Sequence, residues 1–195
     1  MLSLSFIGLS GCANLKKQTI NKSISKGKGF SKIRVEDKRK NKTHNLHLNY
    51  LLSEPNLNLS VTHPIGISLA RLNLQANEFN FLSVKDRTHY YGEPKPEVLK
   101  KAFDLNLHPK YLFNLLLARP FQGGEWDCRA NDVVTNCRNR ISDLEVIFDN
   151  LKPIVKVLHP KTWLTIERVR FEEDLSLSAV DFQFSGPSSY KKKRL

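Results

Sequence analysis

Asn45-Leu46-His47-Leu48-Asn49-Tyr50-Leu51-Leu52 alternates polar and apolar side chains with a period of two. That period places Leu46, Leu48, Tyr50 and Leu52 on one face of an extended chain and Asn45, His47 and Asn49 on the other. The stretch predicts a strand with one buried and one wet face. On its N-terminal side, Phe30, Ile33 and Val35 begin an earlier strand, which ends in the charged turn Glu36-Asp37-Lys38-Arg39-Lys40-Asn41-Lys42. On its C-terminal side, Glu54-Pro55-Asn56 breaks the run. Leu57, Leu59 and Val61 then alternate with Asn58, Ser60 and Thr62 as a further strand. His63-Pro64-Ile65-Gly66 reads as a turn, followed by an apolar strand from Ile67 to Leu74. A change of apolar parity near Ala70-Arg71 predicts a bulge or a change of face there. Phe79 to Val84 and Thr88 to Tyr91 complete this meander.

The middle of the chain changes period. Pro96 opens a helix whose stripe is Val98, Leu99, Ala102 and Phe103. A second helix starts at Pro109 and runs through Leu112, Phe113, Leu115, Leu116 and Leu117 to Ala118, ahead of Pro120. It is apolar nearly all round and is expected to be enclosed. Phe121 to Arg140 reads as loop plus one weak hairpin. Strands resume at Leu144 to Phe148, Ile154 to Leu158 and Trp163 to Phe171. An acidic turn, Glu172-Glu173-Asp174, precedes a last strand from Leu175 to Phe184 with Val180, Phe182 and Phe184 on one face. The fold class is therefore α+β: an antiparallel sheet with the two mid-chain helices as the only obvious cover for one face.

The chain has 195 residues and a formal net charge of +12, enough length for one domain with a sizeable core. Lys16, Lys17, Lys26 and Lys28 lie in a stretch with no acid, and Lys191, Lys192, Lys193 and Arg194 form a basic tail. Such clusters suit a solvated surface, anionic headgroups or acidic partners. No catalytic pattern is present. The six histidines, His44, His47, His63, His89, His108 and His159, are dispersed, and His44 and His47 fall on opposite faces of a strand. No phosphate loop, nucleophile elbow or paired-histidine zinc motif occurs. The expectation is a protein without catalytic residues, metal or cofactor.

Leu9-Ser10-Gly11-Cys12 ends a short apolar run and precedes a polar, lysine-bearing segment. It resembles the lipobox of bacterial lipoproteins. The resemblance implies a signal peptide over residues 1–11, acylation of Cys12 and a flexible basic tether over 12–29. It also implies export beyond the cytoplasm, a compartment that nucleic-acid binding does not fit. Ala13, where Asp resembles an inner-membrane retention mark, favours the periplasmic face of the outer membrane. With Cys12 acylated, Cys128 and Cys137 remain as an even pair in an oxidising compartment, which predicts a disulfide closing a small hairpin.

The order of strands, helical pair and strands, with this leader, resembles the LolB family of outer-membrane lipoprotein receptors over roughly residues 30–185. Two local matches carry the likeness. One is Val61-Thr62-His63-Pro64-Ile65-Gly66 with the strand to Leu74. The other is Leu107-His108-Pro109-Lys110-Tyr111-Leu112 through Leu117-Ala118-Arg119-Pro120. The resemblance implies a domain over 30–190 folded as a curved, incomplete antiparallel barrel around an apolar cavity, with the helices as a lid. It implies acceptance of acylated lipoproteins from a LolA-like periplasmic carrier and their insertion at the outer-membrane lipid surface. The expected cavity lining is Leu46, Leu48, Tyr50, Leu57, Leu59, Val61, Leu112, Leu116, Leu117, Val146 and Phe148. The expected membrane-insertion loop is Pro64, Ile65 and Gly66. The rival expectation is a structural envelope lipoprotein that binds acidic partners through its basic surface and transfers no lipid.

Overall fold

The computed structural model describes residues 26–103 and 105–195. The leader over 1–11, Cys12 and the tether up to residue 25 lie outside the described residues. Six strands come first: β1 (Lys26–Asp37), β2 (Lys42–Ser53), β3 (Asn56–Thr62), β4 (Ser68–Leu74), β5 (Phe79–Ser83) and β6 (Thr88–Gly92). Helix α1 (Pro96–Phe103), a 3-10 turn at Pro109–Tyr111 and helix α2 (Leu112–Leu117) follow. Then come β7 (Trp126–Ala130), β8 (Val134–Asn139), β9 (Glu145–Asp149), β10 (Ile154–His159), β11 (Thr162–Glu173) and, after a 3-10 turn at Ala179–Phe182, β12 (Lys191–Arg194).

All twelve strands belong to one sheet, in the order β12-β6-β5-β4-β3-β2-β1-β11-β10-β9-β8-β7. Every neighbouring pair is antiparallel except β12 with β6. The sheet is open, with β12 and β7 as its edges, and is compatible with an incomplete barrel. A single apolar cluster joins inward side chains from both halves, such as Leu72 and Phe81 on one side and Val146 and Val155 on the other, with Leu99, Leu115 and Leu116 of the helices. Its fully buried leucines and phenylalanines each contribute about 1.5–3 kcal/mol relative to exposure.

β1 passes beneath two aromatic rings. A Cβ on Gly29 would collide with the Tyr50 ring, and one on Gly27 with Phe171 and the Glu172 carbonyl. Tyr50 and Phe171 lie directly across from Gly29 on β2 and β11, and their rings stack 6.4 Å apart. The bare backbone of β1 is what lets both rings fold over it. This pairing reaches back to Lys26, so Lys26–Gly29 belong to the sheet and not to a tether. Of the two alternatives for β4 the structure shows a bulge, just before Ala70, at the register shift that leaves Leu69 without a partner on β3 between Ser68 and Ala70.

The C-terminal part departs most from the sequence pattern. Glu172 and Glu173 continue β11 opposite Lys28 and Gly27 instead of turning. Leu175 to Phe184 is no strand. Ser178 and Asp181 form a reciprocal cap that winds Ala179–Phe182 into a 3-10 turn. The segment straps across the outer face of β3–β6, where Asn73 and Gln75 donate to the Phe182 carbonyl at 2.8 and 2.9 Å. Val180 is exposed while Phe182 is buried, so the two do not share a face. The strap delivers Lys191–Arg194 as an edge strand beside β6, so this basic tail is part of the sheet.

His89 sits under this strap. Its ring bonds Asn80 at 2.8 Å and packs 5.2 Å from Phe184. Burial first, and Lys192 second, hold its pKa below the ordinary value, against a smaller opposing pull from Glu78. Between that folded value and about 6.5 the unfolded chain binds more protons than the folded one, so stability falls as pH drops through the window. Thermal melts should therefore show a smaller loss between pH 7.5 and 5.5 in His89→Gln than in the parent. An equal loss in both would dismiss the role of His89. Gly29→Val should lower unfolding free energy by about 1–3 kcal/mol in urea denaturation, as overpacking does. An unchanged midpoint would show that the Tyr50 ring is not held by close contact.

Candidate functional site

The inner face of the sheet is filled differently at its two sides. Toward β7–β9, aromatic rings close the space. Phe121 lies 4.1 Å from Trp126, 5.0 Å from Tyr111 and 5.3 Å from Phe148, ring centre to ring centre. Toward β1–β4 and β11 there is an unfilled recess of about 270 Å³. Its floor is Ile33 and Val35 of β1, Leu46 and Leu48 of β2, Leu59 and Val61 of β3, Leu72 of β4, Val157 of β10, and Leu164 and Ile166 of β11. Leu99 of α1, Leu105, and Leu112, Leu115 and Leu116 of α2 line it from the helical side. His159 and Thr162, where β10 turns into β11, are its two polar lining residues. No Phe, Tyr or Trp is among them.

Local sequence explains this placement. Val35, Ile33, Leu46, Leu48, Leu59 and Val61 occupy alternate positions on three neighbouring strands, so a period of two directs all of them to one face. α2 is brought over that face by its short sequence, apolar but for Asn114, and held at its C-terminal end. Arg168 of β11 donates from Nη1 to the Leu117 carbonyl at 2.9 Å, and Arg119 meets Glu54 at 3.2 Å. Ala118, with φ of 51°, ends the helix two residues before Pro120. At the other end the 3-10 turn is capped by His108, whose Nδ1 accepts from the Lys110 amide at 3.1 Å. Burial, then Lys110, push the His108 pKa down, which keeps the ring in the form that can accept this bond.

Of the residues nominated for a lining, Leu46, Leu48, Leu59, Val61, Leu112 and Leu116 surround the recess. Tyr50, Leu57, Leu117, Val146 and Phe148 do not; they are packed in the core, none more than 4% exposed. Tyr50 covers Gly29 and Phe148 meets Phe121, so each is consumed by a specific partner. Leu164 and Ile166 were legible as alternating strand positions, but nothing local distinguished a recess from a filled core.

The β3–β4 hairpin ends in a tight tip. His63 donates its amide to the Ile67 carbonyl at 2.8 Å, and the Gly66 amide donates back to His63 at 2.8 Å. Gly66 closes the tip with φ of +90°, a conformation that favours glycine. Ile65 and Ile67 flank it, 74% and 56% exposed. Cys128 and Cys137, opposite each other on β7 and β8, are joined by a disulfide at the far edge of the sheet. Among the described residues, no three His, Cys, Asp or Glu side chains gather as metal ligands, and no helix is long and apolar enough to cross a membrane. The chain matches no protein-family model and no curated protein.

Proposed function

We propose that this protein receives acyl chains of lipoproteins from a soluble periplasmic carrier and helps place them in the outer membrane. The observation that supports the reading is the recess lining: aliphatic side chains from six strands and the helical segment, with polar groups confined to His159 and Thr162. An acyl chain offers methylenes and almost no hydrogen-bonding groups, so an aliphatic, flexible lining suits it better than an aromatic or polar one. On this reading the recess is the acyl cavity, and α1, the 3-10 turn and α2 are the lid that shifts to admit the chain. Transfer then runs on differential affinity between carrier, receptor and bilayer, with no nucleotide. The exposed Ile65 tip is the part that enters the membrane interface, and an acylated Cys12 keeps the receptor there.

A second reading, binding of an acidic envelope component without lipid transfer, draws support from β12. Lys191, Lys192, Lys193 and Arg194 are all exposed on a sheet edge. The two readings differ in what the recess does. A fluorescent fatty acid or bis-ANS should bind the full chain under the first, and Val61→Trp at the half-buried mouth should weaken it about tenfold, a change of about 1.4 kcal/mol, while cooperative melting is kept. Probe binding that is absent, or indifferent to Val61→Trp, would favour the second. With a lipoprotein-loaded carrier, Ile65→Glu should still draw cargo off the carrier but leave it outside the membrane fraction; normal delivery by that variant would remove the tip from the mechanism.

A further inference from the structure

The two ends of the sheet differ in charge. Strand direction assigns each connection to an end. The β1–β2, β3–β4, β5–β6, β8–β9 and β10–β11 turns lie at one end, together with Val35, Leu46, Val61, His159 and Thr162 of the recess. These turns hold Lys38, Arg39, Lys40, Lys42, Lys85, Arg87, Arg140 and Lys161 against Asp86 and Asp143, with Glu36 and Asp37 at the foot of the first. The opposite end carries Glu54, Glu78, Glu93, Asp132, Glu172, Glu173 and Asp174 against Lys26, Lys28, Lys95, Arg119, Lys152 and Arg194, so its charges nearly balance. The β3–β4, β1–β2 and β10–β11 tips follow one another along the sheet order, each two strands apart, about 10 Å. The β1–β2 tip projects further along its strands, a stagger that strand tilt in a curved sheet brings toward one rim.

We infer that this rim is a docking face for an anionic lipid bilayer, with Arg39, Lys40 and Lys42 on the headgroups and Ile65 and Ile67 in the interface. The inference deepens the acyl-transfer reading by naming the lipid class, and it rests on that reading for its purpose. Charge and apolarity coincide here. The β1–β2 tip is exposed, and two of its cations keep only long side-chain contacts to Asp37, Arg39 at 3.9 Å and Lys40 at 4.0 Å. Such exposed pairs contribute little and yield to stronger anions. Lys38 is committed elsewhere, bonded to Glu36 at 2.8 Å and set 3.4 Å over the Trp163 ring. Two isoleucines on a glycine-closed tip, both exposed, meet a bilayer interface without loss of fold. The far end, with its charges nearly balanced, is not attracted to the same degree, so the field also orients the molecule with the recess mouth toward the membrane.

The test uses the full chain carrying Cys12→Ser, so that no acyl group anchors it. Co-sedimentation is measured with vesicles of phosphatidylcholine alone and of phosphatidylcholine mixed with phosphatidylglycerol. Salt is set at roughly 0.1 M and roughly 1 M, between which screening shortens from about 10 Å to about 3 Å. Binding should require phosphatidylglycerol, fall at high salt, and weaken about fivefold for each of Arg39→Gln, Lys40→Gln and Lys42→Gln. Ile65→Ser with Ile67→Ser should weaken binding to the same vesicles, whereas a variant with Lys191, Lys192 and Lys193 all changed to Gln should bind as the parent does. Equal binding to both vesicles, or loss in the β12 variant with none in the tip variants, would overturn the inference. Bis-ANS binding on the same samples separates the two ideas. A recess that binds probe in a protein that ignores vesicles sinks only the docking face; the converse sinks only the acyl cavity.

Discussion

The pairing of β1 with β11 makes this one molecule instead of two meanders. β1 joins β2 through a short turn, a local contact that forms at small entropic cost. Its other edge must find β11, which begins only at Thr162. Closing so long a loop costs more, but only logarithmically with length. The return is large: a register running from Gly27–Glu173 to Asp37–Thr162, with one bulge near Phe30. Without it, both meanders would end in an open edge, a template for unwanted pairing. The recess also depends on it, because its floor draws on β1, β2 and β3 from one side and β10 and β11 from the other.

The glycines of β1 make that pairing tolerant of bulky neighbours. Tyr50 comes from β2 and Phe171 from β11, yet both rings occupy the space above Gly29 and Gly27. They bind the seam from both sides, which a β1 carrying ordinary side chains there would prevent. Glycine inside a strand usually weakens it through lost packing and added backbone entropy. Here the rings supply the missing contacts, so the weakness is offset where the two halves join.

The meander was legible because most of its strands have one wet face, and alternation survives wherever water covers one side. β2 and β3 show this in Asn45, His47, Asn49, Asn58 and Ser60. Legibility failed where both faces are covered or where neither periodicity nor propensity decides. Phe79–Ser83 is buried throughout because the C-terminal strap lies on its outer face. The strap itself looked like a strand, since Val180, Phe182 and Phe184 alternate, but side-chain capping by Ser178 and Asp181 outweighed that pattern. β12 could not be foreseen from its composition. A run of four cations has no apolar face, and it becomes a strand only because the strap carries it alongside β6. The recess was half legible for a related reason: parity chose the inner face, whereas filling depends on which rings arrive from distant segments.

That last point bears on why a void persists at all. An unfilled apolar space forfeits contacts, at about 24 cal/mol for each Å³ in measured core deletions, so a sequence under no other demand would be expected to fill it. This chain has the means, for Tyr111, Phe121, Trp126 and Phe148 pack tightly only a few strands away. Beneath α2 it instead keeps leucine, isoleucine and valine, whose side chains are too short to meet across the gap. Short branched side chains can close partly when the space is empty and open when it is occupied, at small cost in either state. On the proposed acyl-transfer reading such a site suits a receptor that must release its cargo, because tight complementarity would hold the acyl chain against the bilayer that has to receive it. The same logic places the polar pair at the mouth. His159 and Thr162 can meet an ester or amide headgroup without drawing water onto the leucine floor beneath them.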